Sequence, residues 1–402
     1  MKSCGLIVEY NPYHNGHHYH FQQAKEITGA DCVIAVMSGN FLQRGEPALI
    51  DKFSRARIAV EQGIDLVVEL PYFYAVQHSE LFAKGAIRIL DSLQTDAVCF
   101  GSEHGQIDEF QQLYQTIQHH HQEYQESLKD SLQQGHSYPK ANEIAFYQVS
   151  NQQVALDFTK PNNILGFQYV KNIYDLDSSI TPVTIERIKN DYHDLDIQHP
   201  IASATSIRQA LLYQEEGSIE EAVPSYTNDV IAQYKKTHGT WHHWQVYFPL
   251  LKYRVLTMTI SELQAIHGVK EGIENRIVET AKAASTFQEW MELLKTKRYT
   301  WTSLQRIFTH ILTNSQKSEI ENLLTDHHPK GFRILAMSKK GKEYLRYKKK
   351  SIEIPWYTSN KPPYPYQLID ERVDHAYYSI LPMHSQQQLA KQPYLRPIIK
   401  DA

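Results

Sequence analysis

The stretch Asn11-Pro12-Tyr13-His14-Asn15-Gly16-His17 places two imidazoles three residues apart, with a glycine between them, directly after an apolar run. Imidazoles so spaced can donate hydrogen bonds to phosphate oxygens as negative charge builds up in a transition state. Gly16 lets the backbone come close to a ligand. The helix expected from His17 onward adds unpaired N–H groups and a partial positive charge at its start. A second candidate is Ser203-Ala204-Thr205-Ser206-Ile207-Arg208. Ser203 suits an N-cap, and Ser206 and Arg208 suit an anion at that helix start. Each motif alone also fits a plainer structure, a turn with surface histidines or a capped helix.

Strands and helices must hold these groups in place. Apolar runs at 4–8, 32–37, 64–70 and 97–100 alternate with helical patterns near 17–28, 51–62 and 79–93. That alternation predicts an α/β fold, a parallel Rossmann-like sheet with helices on both faces and right-handed crossovers. Ligands in such sheets sit beyond the carboxyl ends of the strands. Those ends carry His14 and His17, Ser38-Gly39-Asn40, Pro71-Tyr72 and Gly101-Ser102-Glu103. At Ser38-Gly39-Asn40 a polar loop is equally natural. Residues 106–178 read as a helical insertion, within which Lys160-Pro161-Asn162-Asn163-Ile164-Leu165-Gly166 runs from a loop into a helix. A fifth strand is expected at 181–188.

These elements make a first domain over 1–217. Residues 218–402 form a second, mainly α-helical and locally basic one. There Gly268 and Gly272, between apolar helices, resemble a helix-hairpin-helix turn, although glycine turns join helices everywhere. Lys339, Lys340, Lys342, Arg346, Lys348, Lys349 and Lys350 face only Glu343, with Tyr344 and Tyr347 interleaved. Such a run is either a solvated face or an RNA-binding surface. The Pro- and Tyr-rich tail from Pro355 is expected to be extended and packed on the domain.

Composition excludes more than it selects. Of 402 residues 42% are hydrophobic and 21% charged, ordinary values for a globular protein. Formal net charge is -4, so a nucleic-acid site must be a local patch. Cys4, Cys32 and Cys99 lie in expected buried strands without metal-ligand spacing and read as reduced core residues. His119-His120-His121 sits in a polar helical stretch and reads as a solvated face. No signal peptide or membrane-spanning run is apparent, so a cytoplasmic protein without a membrane partner is expected.

The two motifs also carry a resemblance. Asn11 to His17 is similar to the F-D-P-x-H-x-G-H signature of the HIGH-type nucleotidyltransferases. Ser203 to Arg208 is similar to their I-S-S-T-x-I-R motif. The strings Val8 to His17, Ser38-Gly39-Asn40-Phe41 and Lys160 to Gly166 resemble bacterial tRNA(Met) cytidine acetate ligases, over essentially the whole chain. Two positions depart from the superfamily pattern: its Asp is Asn11 here, and its second serine is Ala204.

The resemblance implies that acetate attacks the α-phosphate of ATP to give acetyl-adenylate. The N4 amine of the wobble cytidine of elongator tRNA(Met) then takes the acetyl group, giving N4-acetylcytidine. It implies catalytic roles for His14, His17, Ser203, Ser206 and Arg208. It implies ATP contacts at Ile7, Val8, Glu9, Asn11, Pro12, Asn15, Gly16, His20, Gly101, Asn162, Arg187 and Ile188. Acetate would approach Ser38 and Asn40, and tRNA the basic run. Mg2+ is expected to arrive with the phosphates rather than in a protein cage. Two other readings stay open. One is a nucleotidyltransferase joining ATP to a small phosphorylated metabolite, the other a non-catalytic RNA-binding protein on a degenerate nucleotide fold.

Overall fold

A computed structural model describes residues 1–150, 156–187, 202–213, 219–270, 272–326, 329–361 and 363–400. Eight strands form one sheet: β1 (Ser3–Val8), β2 (Cys32–Ser38), β3 (Leu66–Leu70), β4 (Ala97–Ser102), β5 (Thr181–Glu186), β6 (Phe332–Ser338), β7 (Trp356–Tyr357) and β8 (Ile398–Lys400). The order is β5-β4-β1-β2-β3-β6-β7, with β8 also paired to β6. β1 to β5 run parallel to their neighbours, whereas β6 lies antiparallel to β3.

The parallel part follows from the sequence. β2 and β3 are buried throughout, which requires apolar residues on both faces, and the sequences CVIAVMS and LVVEL supply them. Helices such as Asn15–Thr28, Lys52–Glu61 and Ser79–Ser92 lie between consecutive strands. Two large apolar clusters form the core, one containing Ile34, Val68 and Leu90 and the other Leu6, Ala35 and Ile58. From β1 the chain adds β2 and β3 on one side, then β4 and β5 on the other. That reversal opens a crevice at the carboxyl ends of β1 and β4, where such sheets bind ligands.

Between β4 and β5 stand the helices Ile107–His119, His121–Gln133, Tyr138–Val149 and Pro161–Asp175. The three consecutive histidines lie at an exposed helix junction, and the described residues hold no metal-binding group of His, Cys, Asp or Glu. All three cysteines are buried free thiols. No helix among the described residues is long and apolar enough to cross a membrane.

The C-terminal half differs from its sequence reading in two ways. It is mostly helical, but it also contributes β6, β7 and β8 to the central sheet. β6 is an apolar strand, FRILAMS, directly joined to the basic helix, while β7 and β8 span two and three residues, too few for a periodic signal. The tail is not extended throughout: Gln367–Tyr378 and Met383–Leu389 are helices. Prolines 355, 363 and 365 precede the first of these and Pro382 follows it, leaving Ile369, Val373 and Tyr377 free to form a buried stripe.

Candidate active site

β1 leads into Tyr10, whose φ of 49° is left-handed, and then through a cis Asn11-Pro12 bond into His14. His14 is the N-cap of the helix Asn15–Thr28, with extended backbone. Its Nδ1 accepts the Gly16 N–H at 3.0 Å, and the His17 Nδ1 accepts the His14 N–H at 3.3 Å. This is a capping box made from imidazoles. A ring whose Nδ1 accepts must, when neutral, carry its proton on Nε2. Both rings are therefore set as Nε2–H donors. Their centroids lie 3.8 Å apart, and Tyr10 and Tyr13 pack against His17.

Burial lowers the His14 pKa to about 3, with the positive Arg187 and Arg208 adding to the effect. Shielding from water likewise holds His17 well below the ordinary range, with His14 and Arg187 contributing. His20 falls to about 4, chiefly through burial. His20 has the opposite polarity: it donates to the Cys99 carbonyl, and its buried Nε2 meets no protein partner among the described residues.

The second motif faces this turn. Ser203 caps the helix Ala204–Tyr213, its Oγ accepting the Ser206 N–H at 3.1 Å and lying 2.9 Å from the Ser206 Oγ. Arg208 donates to the Asn11 carbonyl at 2.9 Å and pairs with Glu46 at 3.3 Å. Asn11 accepts the Leu49 N–H on Oδ1 at 2.7 Å, leaving a buried Nδ2 donor with no partner among the described residues. An aspartate would bring only acceptors to that position. Asn15 bonds outward to the carbonyls of Glu221 and Ala222.

At the end of β4, a side chain on Gly101 would lie 3.1 Å from Arg187 Cγ. Asn162 opens the helix Pro161–Asp175 close by, bonded to Glu103. The structure therefore gathers His14, Gly16, His17, His20, Arg187 and Arg208 with Asn11 and Pro12 at the β1 end, and Gly101 with Asn162 at the β4 end. Ile7 and Val8 form the last turns of β1, and Ile188 lies outside the described residues. Glu9 is half-buried; its carboxylate accepts the Gln43 N–H at 2.7 Å, and burial raises its pKa.

In the Ser38–Asn40 loop it is Asn40 that is bonded within the protein. Asn40 is 1% exposed; its Nδ2 donates to Asp374 at 2.9 Å and its Oδ1 accepts the Lys52 N–H at 2.8 Å. Ser38 is fully buried, with its Oγ unpaired among the described residues. Beneath them Lys52 lies between Glu69 at 2.8 Å and Asp374 at 3.0 Å, and Arg333 between Glu69 at 3.3 Å and Asp370 at 3.5 Å. Burial, together with Glu69, pushes Asp370 up to about 7. Arg55, fully buried, joins the ends of β1 and β2 by donating to the carbonyls of Glu9 and Gly39. None of these roles was read from the sequence, although a lysine and an arginine on the buried face of Lys52–Glu61 are a usable signal.

The exposed cations of Lys339–Lys348 lie at the amino edge of the sheet, because Tyr344 Oη bonds the Leu93 carbonyl at 2.8 Å and Ser338 bonds Asp65. A strand of six residues spans about 20 Å, so the two edges of the sheet lie about that far apart. The Gly268/Gly272 turn leads into a helix start that carries the buried Glu274, whose Oε1 accepts the Gln264 side-chain amide at 3.0 Å.

A family model described as HIGH Nucleotidyl Transferase matches residues 1–392. A protein of Oceanobacillus iheyensis called tRNA(Met) cytidine acetate ligase is 49% identical over 402 residues, covering 99% of this chain and 100% of its own. The chain belongs to this family. A Bacillus subtilis protein of the same name is 48% identical, covering 88% of this chain and 86% of its own. The fold also matches a crystal structure of Thermotoga maritima TmcAL bound with alpha-thio ATP. That match has TM-score 0.90 and 29% identity, covering 99% of each chain.

Proposed function

We propose that this protein joins acetate to ATP as acetyl-adenylate and transfers the acetyl group to N4 of the wobble cytidine of elongator tRNA(Met). The observation that carries the reading is the pair of Nε2–H donors, set by backbone bonds at the start of a helix and faced by Arg208. Together with relatives of that name, it favours the ligase over transfer of AMP to a phosphorylated metabolite.

An acetate oxygen attacks the α-phosphorus in line, the bond to the bridging oxygen breaks, and pyrophosphate leaves. Adenylyl transfer needs alignment and charge stabilisation rather than covalent help. His14 and His17 donate to the α-phosphate and the leaving group; Arg208, with Ser203 and Ser206, holds the β- and γ-phosphates. The cytidine amine then attacks the acetyl carbon, AMP leaves, and the amine's proton passes to solvent. The turn supplies donors rather than a carboxylate cage, so Mg2+ belongs to the triphosphate and its water.

The target base has to reach the carboxyl edge, where the acetyl group is made. Arg44, Arg187 and Arg306 border that edge, Arg306 anchored on the Gln43 carbonyl at 3.3 Å. Lys339, Lys340, Lys342, Arg346 and Lys348 to Lys350 serve as a distal contact to the tRNA body. The test is mass spectrometry of nucleosides from tRNA incubated with protein, ATP and acetate. N4-acetylcytidine that depends on acetate is expected; stable AMP transfer to a metabolite would overturn the reading. Neutralising the basic run should flatten the salt dependence of tRNA binding, since each phosphate contact contributes about 0.9 to the slope. An unchanged slope would remove that helix from the RNA surface.

A further inference from the structure

Beyond Gly101 the chain turns through Ser102 to Glu103, whose carboxylate is bonded from one side by a neighbouring helix start. Oε1 accepts the Asn162 N–H at 3.3 Å and the Asn162 Nδ2 at 2.6 Å; Oε2 accepts the Asn163 N–H at 2.8 Å. Asn163 returns the contact, its Oδ1 accepting the N–H groups of Glu103 at 3.0 Å and His104 at 3.2 Å, while its Nδ2 donates to the Asp157 carbonyl. The loop and the helix start are thus locked by bonds in both directions.

This lock has a chemical consequence. An ionised carboxylate only accepts, so the Asn162 amide must turn its NH2 toward Glu103 and its Oδ1 away. Asn162 is half-buried, and no donor among the described residues reaches that Oδ1. The carboxylate also fills the helix start, so a phosphate has no place there. What remains at this helix start is an oriented, neutral acceptor, the Asn162 Oδ1.

We propose that Glu103 is a positioning and specificity residue: by holding Asn162 with Oδ1 toward the β1–β4 cleft, it makes the site read a hydrogen-bond donor on the adenosine part of the nucleotide. The proposal rests on the reading that ATP lies across that cleft with its phosphates on the His14 turn. An N–H or O–H donor satisfies the amide oxygen. Adenosine offers two, the 6-amino group and the ribose 2′-hydroxyl. Glu103→Gln keeps the size of the side chain but can both donate and accept, so it lets Asn162 turn over. Glu103→Asp keeps an acceptor-only partner.

Equilibrium binding of ATP, ITP and 2′-deoxy-ATP to the wild-type protein, Glu103→Gln and Glu103→Asp tests this, with thermal unfolding followed in parallel. ITP replaces the 6-amino group by a carbonyl, and 2′-deoxy-ATP lacks the hydroxyl. The wild type is expected to bind ATP about tenfold more tightly than one of the two analogues, the scale of one hydrogen bond made or left unpaired. The analogue concerned identifies the donor. Glu103→Gln is expected to weaken ATP and erase most of that preference, and Glu103→Asp to retain it. Equal binding of all three nucleotides by the wild type would overturn the proposal. So would a Glu103→Gln protein that weakens all three by one factor, which would mark Glu103 as purely structural. Acetate-dependent pyrophosphate exchange by the wild type is read separately. Its absence beside intact ATP selectivity would overturn the acetate reading and leave this assignment standing.

Discussion

Two stretches of one sheet edge are built in opposite ways. At the ends of β1 and β4, backbone N–H groups occupy the Nδ1 atoms of His14 and His17, leaving both Nε2–H groups and the Asn11 amide to a ligand. At the ends of β2 and β3, Lys52, Glu69, Arg333, Asp370 and Asp374 pair with one another under the helix Gln367–Tyr378. The first stretch keeps neutral donors and cations facing the crevice. The second closes on itself, and with it Asn40 becomes a structural residue. The carboxyl ends of a parallel sheet are therefore equivalent as places but not as sites. What packs over them decides which can receive a substrate.

The contrast can be broken most strongly at the open end. His14→Asn, which keeps a capping acceptor, and His17→Ala should each lower acetate-dependent pyrophosphate exchange by roughly 10²–10³-fold, the usual cost of a lost transition-state donor. Unfolding temperature should change little. Near-normal exchange would remove the imidazoles from the chemistry. At the closed end the effect should fall on stability instead. Lys52→Met leaves Glu69 and Asp374 buried without their shared cation, which costs about 3–5 kcal/mol. A marked drop in unfolding temperature is expected, with nucleotide affinity of the remaining folded protein close to normal. An unchanged unfolding temperature would show that the cluster does not hold the fold.

The smallest effect concerns pH and separates the two ends by sign. His14 titrates near 3 when folded and near 6.5 when unfolded, so the unfolded chain binds the extra proton in between. The stability associated with its neutral state is complete above about pH 6.5 and is lost as pH falls toward 3. Asp370, raised to about 7, behaves oppositely: stability associated with its protonated state is complete below the unfolded carboxylate value and lost as pH rises through about 7. Replacing His14 by Asn should flatten the decline of unfolding temperature between pH 6 and 4. An unaltered decline would mean that the ring is protonated in the folded protein.

The open end was legible in the sequence because its chemistry is local. A strand, a glycine, two histidines and a capping serine each act within a few residues, so Gly16, His14, His17 and Ser203 could be placed from spacing alone. Asn162 and Arg187 came from likeness to a family, since nothing nearby in sequence shows that they meet Gly101. The closed end was not legible because it is assembled across long separations, Asn40 to Asp374 and Glu69 to Arg333. The same holds for β6, whose partner β3 lies more than 260 residues earlier. The basic run illustrates the limit from the other side: its composition identified a cationic surface, but it takes the Tyr344 bond to the Leu93 carbonyl and the Ser338 bond to Asp65 to reveal which edge it occupies.

The antiparallel seam between β3 and β6 has a consequence for how the molecule can be made and divided. Along its outer edge, Leu66–Leu70 meets its partner β6 only after the chain has been synthesised as far as residue 338, and Lys400 afterwards ties the last strand to the carbonyls of Val60 and Glu61. A nascent polypeptide emerging from the ribosome therefore carries the His14 turn long before its sheet is edged. A fragment cut near residue 217 would expose that unpaired border and strand Lys52 and Glu69 without their companions. It should be recovered as aggregate rather than as a small ATP-binding module.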